Sequence, residues 1–341
     1  MDRYSRQTLF APIGPRGQER LRESRVLVVG CGALGTHSSE LLGRAGVGHL
    51  RLVDRDIVEW SNLHRQAGFE ETHARDGTPK SEALGSWLGR VNSEVSVEAR
   101  VNDFNFTNAI DLAEDCDLII DGTDNLPTRF LLNDVSYRLR IPWIYAGAIG
   151  GTAHVQFFSG EQGPCLRCHQ RDLPPPGTIA TCDTAGVIGP AAAMAASWQA
   201  GLALRFLAQR TPSSLQGRKA IFEPWDLAAR VVLAEADPEC PVCSKGEFTT
   251  LEGALLDRAT LLCGRRAVQV LPAAGKRGGM VLTEIAARLE AVGAVEQRQG
   301  LLRFDAGEGF RLTLFGDGRA IFDGLTDPTR ARSLYTRFIG E

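Results

Sequence analysis

Disulfide chemistry is the first thing this sequence has too little of: eight cysteines spread over 341 residues cannot staple a chain of this length. Long apolar runs are missing as well. No stretch reaches the roughly 18 uninterrupted apolar residues of a membrane-spanning helix, and Met1-Asp2-Arg3-Tyr4-Ser5-Arg6-Gln7 is polar where a signal core would be apolar. A soluble, cytoplasmic protein without membrane association is therefore expected. An excess of basic charge is also absent, since 38 Lys and Arg face 41 Asp and Glu for a formal net charge of -3. With no basic run interleaved with aromatics, nucleic acid is not expected as a partner.

What is present is enough apolar material, 43% of the residues, for two domains. From residue 25 to about 145, β-rich apolar runs alternate with amphipathic helical stretches, the pattern of βαβ units and a mainly parallel, Rossmann-like α/β sheet. Strands are expected over 25–29, 49–53, 95–101, 117–121 and 143–145, and helices over 33–45, 79–91, 108–113 and 126–139. A further strand is expected over 152–158, a helix of small residues over 191–207, and a closing strand pair over 221–222 and 229–233. The intervening 160–189, dense in Pro, Gly and Cys, reads as a functional loop. After Cys243 the character changes at a Ser-Lys-Gly-Glu linker, which divides the chain into residues 1–248 and a small α/β domain over 249–341. Within that tail, the pattern predicts strands at 267–271 and 301–304, a hairpin of 310–314 with 320–322 about Gly316-Asp317-Gly318, and helices at 283–291 and 329–338.

Val26-Leu27-Val28-Val29-Gly30-Cys31-Gly32-Ala33-Leu34-Gly35 is a strand feeding a tight glycine turn into a helix. Glycines let backbone approach a phosphate, and the helix N-terminus supplies N–H donors and partial positive charge. Asp54, 24 residues after Gly30 and at the end of the next apolar run, is placed to accept ribose hydroxyls. Turn and acid alone leave NAD and ATP both open. Downstream come Asp56, Asn62, Arg65, Gln66, Lys80 and the run Asp121-Gly122-Thr123-Asp124-Asn125. A guanidinium clamps phosphate oxygens and an ammonium neutralises charge building on departing pyrophosphate; a nicotinamide enzyme needs neither. Asp124, just past the fourth strand at the carboxyl edge of the sheet, is placed to hold Mg²⁺.

Cys165-Leu166-Arg167-Cys168 and Cys240-Pro241-Val242-Cys243 supply four thiolates, which match the tetrahedral preference of Zn²⁺ in a closed structural site. The interval of about 70 residues means the pairs meet through tertiary structure. Two independent redox pairs are the alternative, disfavoured because neither pair is expected to open a helix after a strand. Cys182 lies apart from both in Thr181-Cys182-Asp183, within the Pro/Gly-rich stretch leading into a helix, where a thiol is accessible and partly activated. Cys31, Cys116 and Cys263 read as small apolar fillers. His64 and His154 carry no assigned role, His169 reads as a neighbour of the metal site or a surface residue, and Trp60, Trp87, Trp143 and Trp198 read as core or rim aromatics.

Together, Arg3-Tyr4-Ser5-Arg6-Gln7, Gly30-Cys31-Gly32-Ala33-Leu34-Gly35, Asp54-Arg55-Asp56, Ser61-Asn62-Leu63-His64-Arg65-Gln66, Lys80 and Asp121-Gly122-Thr123-Asp124-Asn125 resemble the MoeB/ThiF family, which includes the activating enzymes of ubiquitin-like proteins. The likeness runs from about residue 3 to 245. It implies ATP-dependent adenylation of the C-terminal Gly-Gly carboxylate of a ubiquitin-like or sulfur-carrier protein, with release of pyrophosphate. By the same resemblance, backbone around Gly32 touches phosphate and ribose, Asp54 the ribose, Asn62, Arg65 and Lys80 the phosphates, while Asp124 holds Mg²⁺. Arg6 reaches in trans into the ATP site of a homodimeric partner, a zinc knuckle forms at the two cysteine pairs, and Cys182 occupies the loop that bears a thioester- or persulfide-forming cysteine. Some bacterial members keep that cysteine as a spectator, so both roles stay open. An NAD-dependent oxidoreductase and a non-catalytic scaffold subunit of a heterodimeric activating enzyme are the alternatives. Cys263-Gly264-Arg265-Arg266 begins like a rhodanese loop, but the chain around it is too short for that domain. The tail is instead read as a module that recruits a conjugating enzyme or orients the ubiquitin-like substrate; a sulfur donor is a further expected partner of the protein as a whole.

Overall fold

The computed structural model describes residues 2–161, 163–174, 182–211, 215–253, 259–261, 266–271, 281–298, 300–305, 307 and 309–340. They fall into two compact units, Met1–Leu255 and Leu256–Glu341.

In the first unit, strands β1 (Arg25–Val29), β2 (His49–Val53), β3 (Ser96–Arg100), β4 (Leu118–Asp121), β5 (Trp143–Ile149), β6 (Thr152–Phe158), β7 (Arg218–Glu223) and β8 (Ala228–Leu233) form one sheet in the order β3-β2-β1-β4-β5-β6-β7-β8. Pairs from β3 to β5 are parallel and those from β5 to β8 antiparallel. The strand order turns back between β1 and β4, so a crevice opens at their carboxyl ends, where open α/β sheets bind ligands. Val26–Val29 are buried on both faces, as a central parallel strand requires.

Helix Ala33–Ala45 follows β1 and ends at Gly46, whose φ of 81° is the left-handed stop that glycine favours. Against it packs the long helix Gly189–Gln209, which buries Ala191, Ala192, Ala195, Ala196, Ala200 and Ala203. Methyl-sized side chains let this helix lie close to its neighbours, so a larger residue at Ala195 would overpack the core by about 1–3 kcal/mol. Helix Leu126–Leu139 covers the opposite face, over a buried stack of Trp143 on Phe158 with centroids 4.8 Å apart. Helix Gly14–Glu23, which sequence patterning did not suggest, buries Gly17, Gln18 and Leu21.

The second unit adds β9 (Ala259–Leu261), β10 (Ala267–Val270), β11 (Ala294–Arg298), β12 (Leu301–Asp305), β13 (Arg311–Phe315) and β14 (Ala320–Asp323), an antiparallel sheet in the order β11-β12-β13-β14-β10-β9. Helices Leu282–Leu289 and Pro328–Phe338 share a core with Val268, Phe304, Leu312 and Phe322. The hairpin about Gly316–Gly318 forms as expected, with Gly318 N–H donating to Phe315 O at 2.9 Å. Cys263 lies outside the described residues.

Candidate active site and metal centre

Three glycines make the phosphate turn possible by touching one another. Gly30 has a φ of 90°, and a Cβ on it would meet the Gly122 carbonyl at 2.7 Å; a Cβ on Gly35 or Gly122 would overlap the Gly30 carbonyl oxygen. The loop after β1, the first turn of helix Ala33–Ala45 and the loop after β4 are thus in backbone contact. Gly32 differs. The nearest atoms to a Cβ there are Gln66 Nε2 and Gly122 O at 3.9 Å, so the cradle is open on this side. Gly32 is also the N-cap of helix Ala33–Ala45 and supplies no side-chain cap, which leaves first-turn N–H groups for an anion.

Asp54 is buried and both its oxygens accept backbone N–H groups, Oδ2 from Cys31 at 2.6 Å and Oδ1 from Asp56 at 2.7 Å. The carboxylate therefore pins the glycine turn to the end of β2, with lone pairs left over for hydroxyl donors. Burial raises its pKa, opposed by the Lys80 charge and those two N–H groups. Lys80 opens helix Lys80–Val91, its Nζ 3.4 Å from Asp56 Oδ2. Burial alone would depress this ammonium, yet Asp56, Asp54, Asp124 and Glu59 together hold its pKa above the ordinary value. A buried cation facing several carboxylates is ready to exchange some of that attraction for phosphate.

Asn62 is buried in the 3-10 turn Trp60–Asn62, where its Oδ1 accepts from Glu59 N–H at 3.0 Å. Gln66 lies beside the glycine turn with its Oε1 buried and, among the described residues, lacking a hydrogen-bond partner. Arg65 is half-buried and donates to Ser61 O at 2.6 Å. Asp124 is exposed, and Asn125 caps helix Leu126–Leu139 by accepting from Thr128 N–H at 3.0 Å. The structure thus gathers Gly30, Gly32, Gly35, Asp54, Asp56, Gln66, Lys80 and Asp124 by contact or mutual charge. Arg6 is not among them. Its helix, Ser5–Thr8, is tied by Gln7 to Ala45 O, the far end of helix Ala33–Ala45 and about 18 Å from the cradle. Arg6 is exposed, with no hydrogen bond or ion pair among the described residues.

Two residues that sequence reasoning passed over hold the Asp121–Asp124 loop. Buried Arg129 donates to Asp121 Oδ2 at 2.9 Å and to the carbonyls of Thr123 and Ala146 at 2.7 Å. Gln199, fully buried, donates to Asp121 O at 2.9 Å and Ile144 O at 2.7 Å. An arginine four residues after an N-cap reads as surface charge. The signal that could have found it is Asp121, a carboxylate inside an apolar strand, which demands a buried cation.

The four sulfurs of Cys165, Cys168, Cys240 and Cys243 lie within 4.8 Å of one another. Cys165 and Cys240 sulfurs are 3.4 Å apart, and those of Cys168 and Cys243 3.3 Å. These separations exceed the roughly 2.05 Å of a disulfide and approach the sulfur spacing set by four Zn–S bonds of about 2.3 Å. Backbone N–H groups of Cys165 and Asp237, each 3.4 Å from Cys168 Sγ, point toward a charged sulfur. The donor set fits a closed zinc knuckle. One expectation needs correcting: Cys165 does open a helix, the short Leu166–His169. The redox reading fails on a different ground, because the two pairs form one cluster. Trp143 is a core aromatic as expected, whereas Trp60 and Trp198 are 56% and 46% exposed and stand at the surface. Cys31 and Cys116 are buried fillers.

Cys182 opens the short helix Cys182–Ala185; its side chain lies outside the described residues. The segment after it is anchored, since Gly150 N–H donates to Gly186 O at 2.8 Å and Ile188 N–H to Gly150 O at 3.0 Å.

Comparison with known proteins gives this geometry a context. The model of the ThiF family matches residues 4–242. The sulfur carrier protein ThiS adenylyltransferase of Bacillus subtilis is 37% identical over 340 residues, 99% of each chain. The SAMP-activating enzyme E1 of Haloferax volcanii is 37% identical over 254 residues, 74% of this chain and 92% of that one. Among solved structures, the E. coli MccB complex with ATP aligns with a TM-score of 0.60 at 23% identity, over 71% of this chain and 73% of that one, a likeness of fold.

Proposed function

The chain belongs to the ThiF family, and from that premise we propose that it adenylates the C-terminal Gly-Gly carboxylate of a ubiquitin-like or sulfur-carrier protein with ATP. The observation that carries this reading is the buried Lys80 ammonium held among Asp54, Asp56 and Asp124 at the mouth of an open glycine cradle. In the proposed reaction a carboxylate oxygen attacks the α-phosphorus, the bond to the bridging oxygen breaks, and pyrophosphate leaves. Little covalent work falls to the protein, so positioning and charge stabilisation carry the rate. Gly32 and its neighbours present N–H groups, Asp54 accepts ribose hydroxyls, Asn62, Gln66, Arg65 and Lys80 meet the phosphates, and Asp124, with Asp56 nearby, would hold Mg²⁺. That ion would supply charge neutralisation on the phosphates. The four thiolates would hold Zn²⁺ as a structural cross-link with no open position for chemistry.

Beyond adenylation, the Cys182 thiolate would attack the acyl carbon and expel AMP, leaving a thioester for a sulfur donor or conjugating enzyme. Arg6, exposed and remote from its own cradle, would serve a second copy of the chain in a homodimer. Residues 1–248 would form the adenylating domain and 249–341 a recruiting module. ATP–pyrophosphate exchange that requires a Gly-Gly carrier tests the central claim; NAD binding without exchange overturns it. A reductant-labile adduct lost in Cys182→Ala tests the thioester. Transfer that is unchanged after deletion of residues 250–341 would remove the recruiting role.

A further inference from the structure

Several polar groups outside the phosphate cradle and the thiolate cluster share one face of the antiparallel half of the first sheet. Register fixes that face: Tyr145, Gln156, Lys219 and Val232 stand in one row across β5 to β8, and Gly147, His154, Ile221 and Arg230 in the next. Alternate positions such as Ala146, Val155 and Ala220 turn to the opposite face, in the core with helix Gly189–Gln209. Gln156 is 2% exposed, and its Nε2 is buried with no hydrogen-bond partner among the described residues. His154 Nδ1 is buried and, among the same residues, equally unpartnered. Lys219, half-buried, makes no hydrogen bond or ion pair among the described residues. Its Nζ lies 5.9 Å from the centroid of the Tyr145 ring, which also receives the Arg129 guanidinium at 4.7 Å.

The neighbouring charges are already spoken for. Arg129 is used by Asp121, Thr123 and Ala146, and Arg230 pairs with Glu223 at 3.2 Å. Burial, then the charges of Lys219, Arg129 and Arg230, push His154 down to about 4, so near pH 7 it is neutral. What remains, among the described residues, is one ammonium without an ion-pair partner beside a buried amide N–H₂ and an imidazole. Buried donors are costly without acceptors. A carboxylate offers a single negative charge and about four lone-pair sites; a phosphate would bring more charge than one ammonium balances. The patch has a meaningful location as well. Arg129 links it to the loop bearing Asp124, and β5 runs on to Gly150, which is bonded to the segment after Cys182.

Resting on the proposed function, we propose that His154, Gln156 and Lys219 form a carboxylate pocket for an acidic side chain in the tail of the carrier protein, and so select among carriers. The test uses full-length, zinc-loaded protein and the Bacillus subtilis sulfur carrier ThiS. A single Glu, its Gln isostere or Lys is placed in turn at each of about six positions before the terminal Gly-Gly, a reach of roughly 20 Å when extended. Binding is measured by fluorescence anisotropy, and exchange is measured separately. At one position the Glu carrier should bind roughly fivefold more tightly than the Gln carrier, the worth of a half-buried ion pair. Lys219→Gln should collapse that ratio to near unity, and Lys219→Glu should turn the preference to the Lys carrier, a reversal that a merely structural role would not produce. Thermal melts confirm that the variants fold. Equal binding of Glu and Gln carriers at every position, or a preference that survives Lys219→Gln, overturns the pocket. Exchange without Glu preference overturns the pocket and leaves adenylation standing; Lys219-dependent Glu binding without exchange does the reverse.

Discussion

The two halves of the first sheet complete their sites in opposite ways. Around the parallel strands the backbone of the cradle is fixed by the protein itself: Gly30, Gly35 and Gly122 lock backbone to backbone, and Asp54 ties the turn to β2, while the side at Gly32 and Gln66 is left open. Around the antiparallel strands side chains define the candidate sites. Four sulfurs lie within 4.8 Å of one another, and among the described residues Gln156 Nε2 and His154 Nδ1 are buried without hydrogen-bond partners. One half is preorganised, so that ligand binding costs little rearrangement. The other would be completed by the metal and carboxylate proposed for it, which would couple its stability to occupancy.

The contrast is most severely broken by filling the cradle. Gly35→Ala drives a methyl into the Gly30 carbonyl oxygen and is expected to prevent accumulation of folded protein, read by soluble yield and circular dichroism. Next in size is the thiolate cluster. Cys240→Ser should abolish stoichiometric zinc and cost on the order of 3–5 kcal/mol in urea unfolding; wild-type protein treated with a chelator should match it. A variant that keeps full stability without metal would mean the antiparallel half finishes itself too. Gly32→Ala and Lys80→Ala sharpen the comparison from the other side. Gly32 has room for a Cβ, and Lys80 sits at a helix start, so both variants should melt near wild type while pyrophosphate exchange falls about 10²–10³-fold.

The smallest effect concerns His154. Its folded pKa of about 4 lies below the ordinary value near 6.5, so the unfolded chain binds more protons between those limits. The stability it contributes is complete above about pH 6.5 and is lost as pH falls toward 4. It should amount to about 1–2 kcal/mol once its partial exposure is allowed for. Urea midpoints of wild type and His154→Gln at pH 7 and pH 4.5 should converge at the lower value.

Much of the first unit was legible in its patterning. Helices Ala33–Ala45 and Leu126–Leu139 and strands β1, β2 and β6 begin and end where periodicity and turn residues put them, because each has a clear apolar face and a glycine or polar stop. Helix Gly14–Glu23 has no comparable signal: its ten residues hold a single large apolar side chain, Leu21, which it buries together with a glycine and an amide. Strand β11, Ala-Val-Glu-Gln-Arg, lies at the sheet edge with mostly exposed side chains, so nothing in its composition demands a strand. The same division holds for the site. The glycine turn, Asp54, Lys80 and the cysteine pairs announce themselves through residue types with few other uses. Arg129, Gln199, His154, Gln156 and Lys219 do not, since their meaning depends on which neighbours the sheet register supplies.

The bond between Gly150 and Gly186 sets a length scale for whatever follows adenylation. Cys182 lies four positions before Gly186, so its Cα cannot stray more than about 14 Å from that anchor even if its short helix unwinds. In the proposed thioester step, a thiol on so short a leash would meet an acyl group presented within that radius at a high effective concentration. It would not have to diffuse to its substrate; acceptors beyond that radius would have to come to it.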